Sequence, residues 1–330
     1  MISRLGRWLR ILALFAFIAA ALGLIGGVFY ERAQRDEFFR KFPPIGKAYD
    51  VGGRSMNLYC SGVGGPLVML ESANGWPGLS WSEVQPEIAR FTRACWYDRA
   101  GTGWSDPGPF PRTPEAIAQD LHALLIAAGL RAPYMLVGPR SAASGLLVFR
   151  GLYPDQVAGM VVIDGAAAKA DQVYPPFLIY PANVAVRVFA RTGLLRFVEP
   201  PVADQPLPTK HQAEILALKK EPEARAADWS TKLMSGDQVD PPAATLGDLP
   251  LIVLAPNGGE SPGRLAAASR GGRVIEVPGA EDILFQAPQS VVGAVAEIVE
   301  QLRPRPKATA PAPAPVVKRR SSPRVQRHIR

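Results

Sequence analysis

Histidine and cysteine are scarce in this chain, three and two residues of 330. None of them stands at a spacing that resembles a metal site, so neither a metal nor any other cofactor is expected. No internal repeat is apparent, which excludes a solenoid or propeller. Acidic residues are missing from positions 304–330, where eight Lys or Arg fall among Pro and Ala, leaving 29 basic and 29 acidic residues elsewhere. The formal charge of +8 is therefore a property of the tail. The folded part is neutral and carries no signal for a basic nucleic-acid face. Pro311-Ala312-Pro313-Ala314-Pro315 favours extended backbone, so 303–330 is expected to be a disordered basic tail, able to touch an anionic surface.

Charge is also absent from Ile11 to Tyr30. Twenty such residues make a helix of about 30 Å, the thickness of a bilayer's hydrocarbon core. The run is longer than a usual signal-peptide core, and Ala19-Ala20-Ala21 lies inside it rather than after it, so an uncleaved anchor is expected rather than a removed leader. Arg4, Arg7 and Arg10 precede the span; Arg32, Arg35, Arg40 and Lys41 follow it. The short basic head set directly against the apolar run is a signal-anchor arrangement, which predicts an inside N-terminus and an extracytoplasmic domain. The segments are thus a basic head at 1–10, the span at 11–30, a charged juxtamembrane linker at 31–44, and a globular domain at 45–302.

Within that domain, apolar composition is ample for a core. Short apolar runs alternate with amphipathic stretches. Tyr134–Val137, Leu251–Ala255 and Arg273–Val277 read as strands, and their alternation with helical patterns is that of a parallel sheet. Thr113-Pro114 opens a helix with a hydroxyl cap and Pro at its first position. Ser80 to Thr92 has helical periodicity beginning near Pro86, and a last helix is expected from Pro288 to Leu302. Between about 165 and 248 the pattern changes to apolar clusters broken by proline, as in a mostly helical cap.

Three strings carry a family resemblance. Trp96-Tyr97-Asp98-Arg99-Ala100-Gly101-Thr102-Gly103-Trp104-Ser105-Asp106-Pro107-Gly108 is similar to the segment after the fourth strand of the alpha/beta-hydrolase family. Leu136-Val137-Gly138-Pro139-Arg140-Ser141 resembles the family's nucleophile elbow, where Leu-Val-Gly-His-Ser is the pattern. Tyr153-Pro154 follows one helix later, also as in the family. The resemblance covers about 45–165 and, more weakly, 248–302. It implies a mostly parallel central sheet with helices on both faces and a helical cap insertion. It also places Cys60 and Cys95 on neighbouring strands, where either a disulfide or two buried thiols would fit.

The same resemblance identifies what is changed. Nucleophilic catalysis needs an attacking group, a base to take its proton, and an acid to orient the base. In this register Arg140 stands at the nucleophile position, and a guanidinium offers no lone pair for attack. After Val277-Pro278-Gly279, Asp282 stands at the histidine position. His122 falls on a helix before the elbow, His211 in the cap and His328 in the tail, so none matches it. Glu260 occupies the acid loop. Ala73 and Asn74, with the N–H of Ser141, occupy the oxyanion positions, whose backbone donors tolerate substitution. Arg140 and Asp282 are expected to pair in place of serine and histidine. The expected function is a membrane-anchored, catalytically inactive hydrolase-fold protein that retains a capped pocket for a small apolar or anionic ligand. The alternatives are a serine hydrolase of esters or amides using Ser141 in an elbow shifted by one residue, and an interaction module acting through its basic tail.

Overall fold

A computed structural model describes residues 2–163, 176–197, 211–234, 245–256 and 260–303. The uncharged segment belongs to one long helix, α1 (Ile2–Lys41). Its apolar window has a mean hydropathy of 2.6 and is not buried at all, so α1 is long and apolar enough to cross a membrane. The charged stretch after the span, expected as a linker, continues this helix to Lys41; Phe42-Pro43-Pro44 stops it, because proline disfavours helix in the residue before it. From Gly27 onward α1 lies on the domain. A Cβ on Gly27 would sit 2.5 Å from the Thr192 carbonyl oxygen, so only glycine permits that approach. Buried Glu31 accepts two bonds from the Arg196 guanidinium, at 2.6 and 2.9 Å, and Phe38 and Phe39 pack against the core.

Eight strands follow: β1 (Lys47–Asp50), β2 (Ser55–Ser61), β3 (Leu67–Leu70), β4 (Ala94–Tyr97), β5 (Tyr134–Pro139), β6 (Val157–Ile163), β7 (Leu251–Ala255) and β8 (Gly272–Glu276). They form one sheet in the order β1-β2-β4-β3-β5-β6-β7-β8. The β1–β2 and β2–β4 pairs are antiparallel and the others parallel. All of β3 and β7 is buried, as parallel strands covered on both faces must be. The two-residue period divides their side chains between two cores. Val68, Leu70, Ile252 and Leu254 enter one; Leu67, Met69, Leu251 and Val253 enter the other. Cys60 and Cys95 are register partners on β2 and β4 and form a disulfide, with Cα atoms 4.1 Å apart.

The helices after α1 are α2 (Gln85–Ile88), α3 (Pro114–Ala127), α4 (Arg140–Leu152), α5 (Pro176–Arg191), α6 (Gln212–Lys220), α7 (Pro222–Met234), α8 (Glu260–Ala266), α9 (Ile283–Gln286) and α10 (Pro288–Leu302). Helices α2 and α10 cover one face of the sheet, α3, α4 and α8 the other. The predicted cap of α3 forms: Thr113 Oγ1 accepts from the Ala116 N–H at 3.1 Å. The 80–92 stretch is less helical than its periodicity suggests. It takes in the end of the 3-10 turn Gly78–Trp81 and the four-residue α2, and Trp81, Val84 and Ile88, which recur at helical spacing, are buried. Helices α5, α6 and α7 make up the described part of the cap, between β6 and β7.

One buried carboxylate organises the carboxyl end of β4. Asp98 accepts from the Gly78 N–H at 2.6 Å, the Trp104 N–H at 3.0 Å and Asn57 Nδ2 at 3.0 Å, so it ties its own loop to the one after β3 and to strand β2. Gly103, at φ +53°, leaves no room for a side chain, since a Cβ would lie 2.2 Å from the carboxyl carbon. Burial pushes the Asp98 carboxyl up from 3.8 to about 6, against the pull of those three donors. A group that keeps its proton to higher pH when folded stabilises the fold below its unfolded pKa and loses that contribution as pH rises through the folded one. Asp98 should therefore cost the folded state about 3 kcal/mol, the loss developing between about pH 4 and pH 6 and constant above. Urea unfolding of the wild type and Asp98→Asn across this window should give stability curves that diverge by that amount. Parallel curves would show that Asp98 ionises as it does in the unfolded chain.

Candidate functional site

The crevice beyond the carboxyl ends of parallel strands is where such sheets bind ligands, because the loops there converge while both faces are covered. Four loops meet at this place: the one after β3 with Ser72–Trp76, the one after β4 with Asp98–Trp104, the β5–α4 junction, and the one after β8 leading to α9.

The first two are clamped together by a buried ion pair. Arg99 Nε and Nη2 both lie 2.6 Å from Glu71 Oε1, and Arg99 Nη1 donates to Asn74 Oδ1 at 2.5 Å. The expected oxyanion residue Asn74 thus has its side chain committed to Arg99. Ala73 closes the turn, its carbonyl accepting from the Trp76 N–H at 3.0 Å. Beside the pair, the buried Tyr97 hydroxyl is held well above its ordinary range, by burial first and by the Glu71 carboxylate second. Neither Glu71 nor Arg99 stood out in the sequence as a site residue. The signal available was an acid directly after the apolar Leu67–Leu70 and an Asp98-Arg99 pair directly after Ala94–Tyr97.

At the third loop, β5 passes directly into α4. Pro139 is extended at φ −69° and ψ 161°, and helix begins at Arg140. Among the described residues the one non-glycine with positive φ is His211, at 65°. No left-handed residue therefore marks this junction. Ser141 is exposed on the first turn of α4, followed by buried Ala142 and Ala143. The Arg140 and Glu260 side chains lie outside the described residues, as do His328 and the tail, so their expected roles have no geometry here.

The fourth loop brings Asp282 back toward the first. Phe285, on α9, packs its ring 5.3 Å from that of Trp76. Asp282 caps α9 through its carbonyl, which accepts from the Gln286 N–H at 2.8 Å. Burial raises its carboxyl above the ordinary range, opposed by the N–H groups of Phe285 and Leu284 and by the charge of Lys219. The Lys219 ammonium, on α6, stands 3.5 Å from the Trp76 ring centre. Asp228 of α7 rests on Gly75, and Ser230 of α7 accepts from the Arg112 N–H at 3.0 Å. The cap is therefore seated on the loop after β3. The cavity left between Gly75, Arg99, Thr102, Arg112 and Ala227 is about 10 Å³, room for one water.

The remaining histidines lie elsewhere. His122 is stacked on Tyr153 at 3.8 Å and bonded to Gln156, on the outer side of α3 and α4. His211 begins α6 with its Nδ1 2.8 Å from Glu214. Among the described residues no group of three His, Cys, Asp or Glu side chains could hold a metal ion.

The Glu71–Arg99 pair yields a stability test. Arg99→Met leaves a buried carboxylate without its partner and should cost about 3 to 5 kcal/mol, whereas Glu71→Leu/Arg99→Met together should recover most of that loss. Urea denaturation of the three proteins measures it; equal losses in the single and double variants would mean that packing, not charge, dominates.

No family model matches the chain. Among curated proteins, the probable transporter efuK of Hormonema carpetanum is 30% identical over 134 residues, 38% of this chain and 19% of that protein. The uncharacterized protein YbdG of Bacillus subtilis is 22% identical over 161 residues, 48% of this chain and 50% of that one. The chain thus spans half or less of the length of these relatives. Solved structures align over far more of it. An enol-lactonase from Burkholderia xenovorans superimposes with a TM-score of 0.58 at 16% identity, over 77% of this chain and 100% of that one. A thermophilic esterase from Thermogutta terrifontis gives 0.58 at 20% identity, over 78% and 99%. The epoxide hydrolase CorEH gives 0.57 at 17%, also over 78% and 99%. Strand order, register and these superpositions agree: the chain has the alpha/beta-hydrolase fold, with one long apolar helix at its N-terminus.

Proposed function

We propose that this is a membrane-anchored alpha/beta-hydrolase-fold protein that holds a small apolar or anionic ligand beneath its cap without cleaving it, the ligand opening the cap from the water-sized cavity that the described residues leave there. The observation that carries this reading is the β5–α4 junction. A nucleophile in this fold stands on a sharp, strained strand-to-helix turn that lifts it out of the helix. Here an extended proline leads straight into helix at an arginine, with no left-handed residue between. The residue at the histidine position is a carboxylate; His122 is engaged with Tyr153 and Gln156, and His211 with Glu214. Arg140 and Asp282 would fill as an ion pair the space that hydroxyl and imidazole otherwise share. The loop after β3 would supply backbone N–H groups to a partial negative charge, which is why the ligand class includes anions.

The disulfide bears on location. Such bonds persist in oxidising compartments, and a cross-strand pair between β2 and β4 fits a domain held outside the cytoplasm by α1. The basic stretch 304–330 would then meet whatever anionic surface lies nearby. Exposure of Ser141 on the first turn of α4 favours the competing reading, hydrolysis of an ester or amide with Ser141 as nucleophile.

A serine-directed fluorophosphonate probe separates the two. The full-length protein in mild detergent should label no more than Ser141→Ala. Labelling of the wild type that disappears in Ser141→Ala would establish an active serine hydrolase and end the ligand-holding proposal.

A further inference from the structure

The cap helix α5 exposes most of its large apolar side chains. Its domain-facing side carries Asn183 and Ala190, both buried, and the half-buried Val186 and Arg187, the latter with its guanidinium over the Phe110 ring. Its solvent side carries Leu178, Tyr180, Val184, Val188 and Phe189, each 43 to 66% exposed and recurring at helical spacing. Leu194 and Phe197, just beyond the helix, extend the same exposed apolar surface. A patch of this kind on a soluble domain marks something that covers it.

The position of α1 says what that is. Helix α5 ends at Arg191, and the next residue, Thr192, is the one whose carbonyl fits against Gly27. Gly27 lies within the uncharged segment, three residues before its end at Tyr30. At the rise of an α-helix this is about 5 Å inside the segment, within the depth of about 5–10 Å at which amphipathic helices rest in a membrane surface. Arg196 is locked between Glu31 at 2.6 Å and Glu221 at 3.1 Å, which fixes the cap to α1 just past that point. If α1 crosses the bilayer, the carboxyl end of α5 is held at its surface. Exposed Arg32 and Arg191 flank the contact, placed for anionic headgroups.

We propose that the outer face of α5, continuing through Leu194 and Phe197, is seated in the interfacial layer of the bilayer that α1 spans, so that the cap, not the sheet, faces the membrane. This inference rests on reading α1 as a retained anchor. It also extends the ligand reading, because a cap lying on lipid would receive apolar ligands from the bilayer.

The test uses the full chain in nanodiscs of phosphatidylcholine with phosphatidylglycerol. Both native cysteines are in the disulfide, so single thiols introduced by Val188→Cys, Phe17→Cys or Val63→Cys can each carry an environment-sensitive fluorophore. Phe17 reports on the span, and Val63, on the loop between β2 and β3, on water. Spin-labelled lipids should quench the Val188 label at least about twofold more than the Val63 label, with shallow spin labels more effective than deep ones. The Phe17 label should show the opposite depth preference. Quenching at Phe17 with Val188 matching Val63 would overturn the seating of α5 while leaving the anchor standing. Both matching Val63 would overturn the anchor and the proposal together. Protection of Val188 that appears only when two chains share a disc would replace lipid by a second copy of the chain.

Discussion

Two buried charges hold the working end of this molecule in shape. Parallel strands must be covered on both faces, so the carboxyl ends of β3 and β4 are the place where polar groups can gather, and there Glu71 and Arg99 meet out of water. The pair costs desolvation, and an apolar replacement could match its stability. What it supplies is position. The same guanidinium reaches Asn74 and sets the loop after β3, on which Trp76, Phe285 and Lys219 then stack. Asp98 completes the arrangement without a positive partner, relying on three donors that fix the neighbouring loops.

From that floor the molecule is built upward in contacts of declining regularity. The cap rests on Gly75 through Asp228 and on Trp76 through Lys219. The long helix α1 joins the cap through Gly27 and the Glu31–Arg196 pair. Sheet, crevice, cap and apolar helix thus form a continuous series.

Much of the fold was legible because its determinants are local. Leu251–Ala255 can only be a buried strand or a short piece of buried helix, and its alternation with helical stretches favours the strand. Thr113-Pro114 announces a helix start by capping chemistry alone, and Pro288–Leu302 by periodicity. Where local signals were weak the outcome differed. Residues 31–41 were expected as a linker because they are charged, yet they continue α1, since nothing interrupts that helix before Phe42-Pro43-Pro44. The 80–92 stretch forms its helix near Pro86 as the sequence indicated, with proline in the first turn where no donor is lost, but keeps it to the four residues Gln85–Ile88.

The candidate site was legible as positions and not as contacts. A resemblance in order along the chain located Ala73, Asn74, Arg140, Ser141 and Asp282. It could not find the Arg99 clamp or the Lys219–Trp76 contact, whose partners are 28 and many more residues apart and meet only when strands and cap assemble. The same holds for α5: Val184–Phe189 reads as an apolar cluster in any register, but which way it points depends on the surface it packs against. Composition and periodicity thus determined the long apolar helix, the alternating strands and helices and the charge of the tail, all through interactions a few residues long, while resemblance alone assigned residues to the hydrolase positions. Only the tertiary structure decided the cysteine pairing, the buried charges and the outward face of the cap, because these depend on distances between segments that the order of residues does not contain.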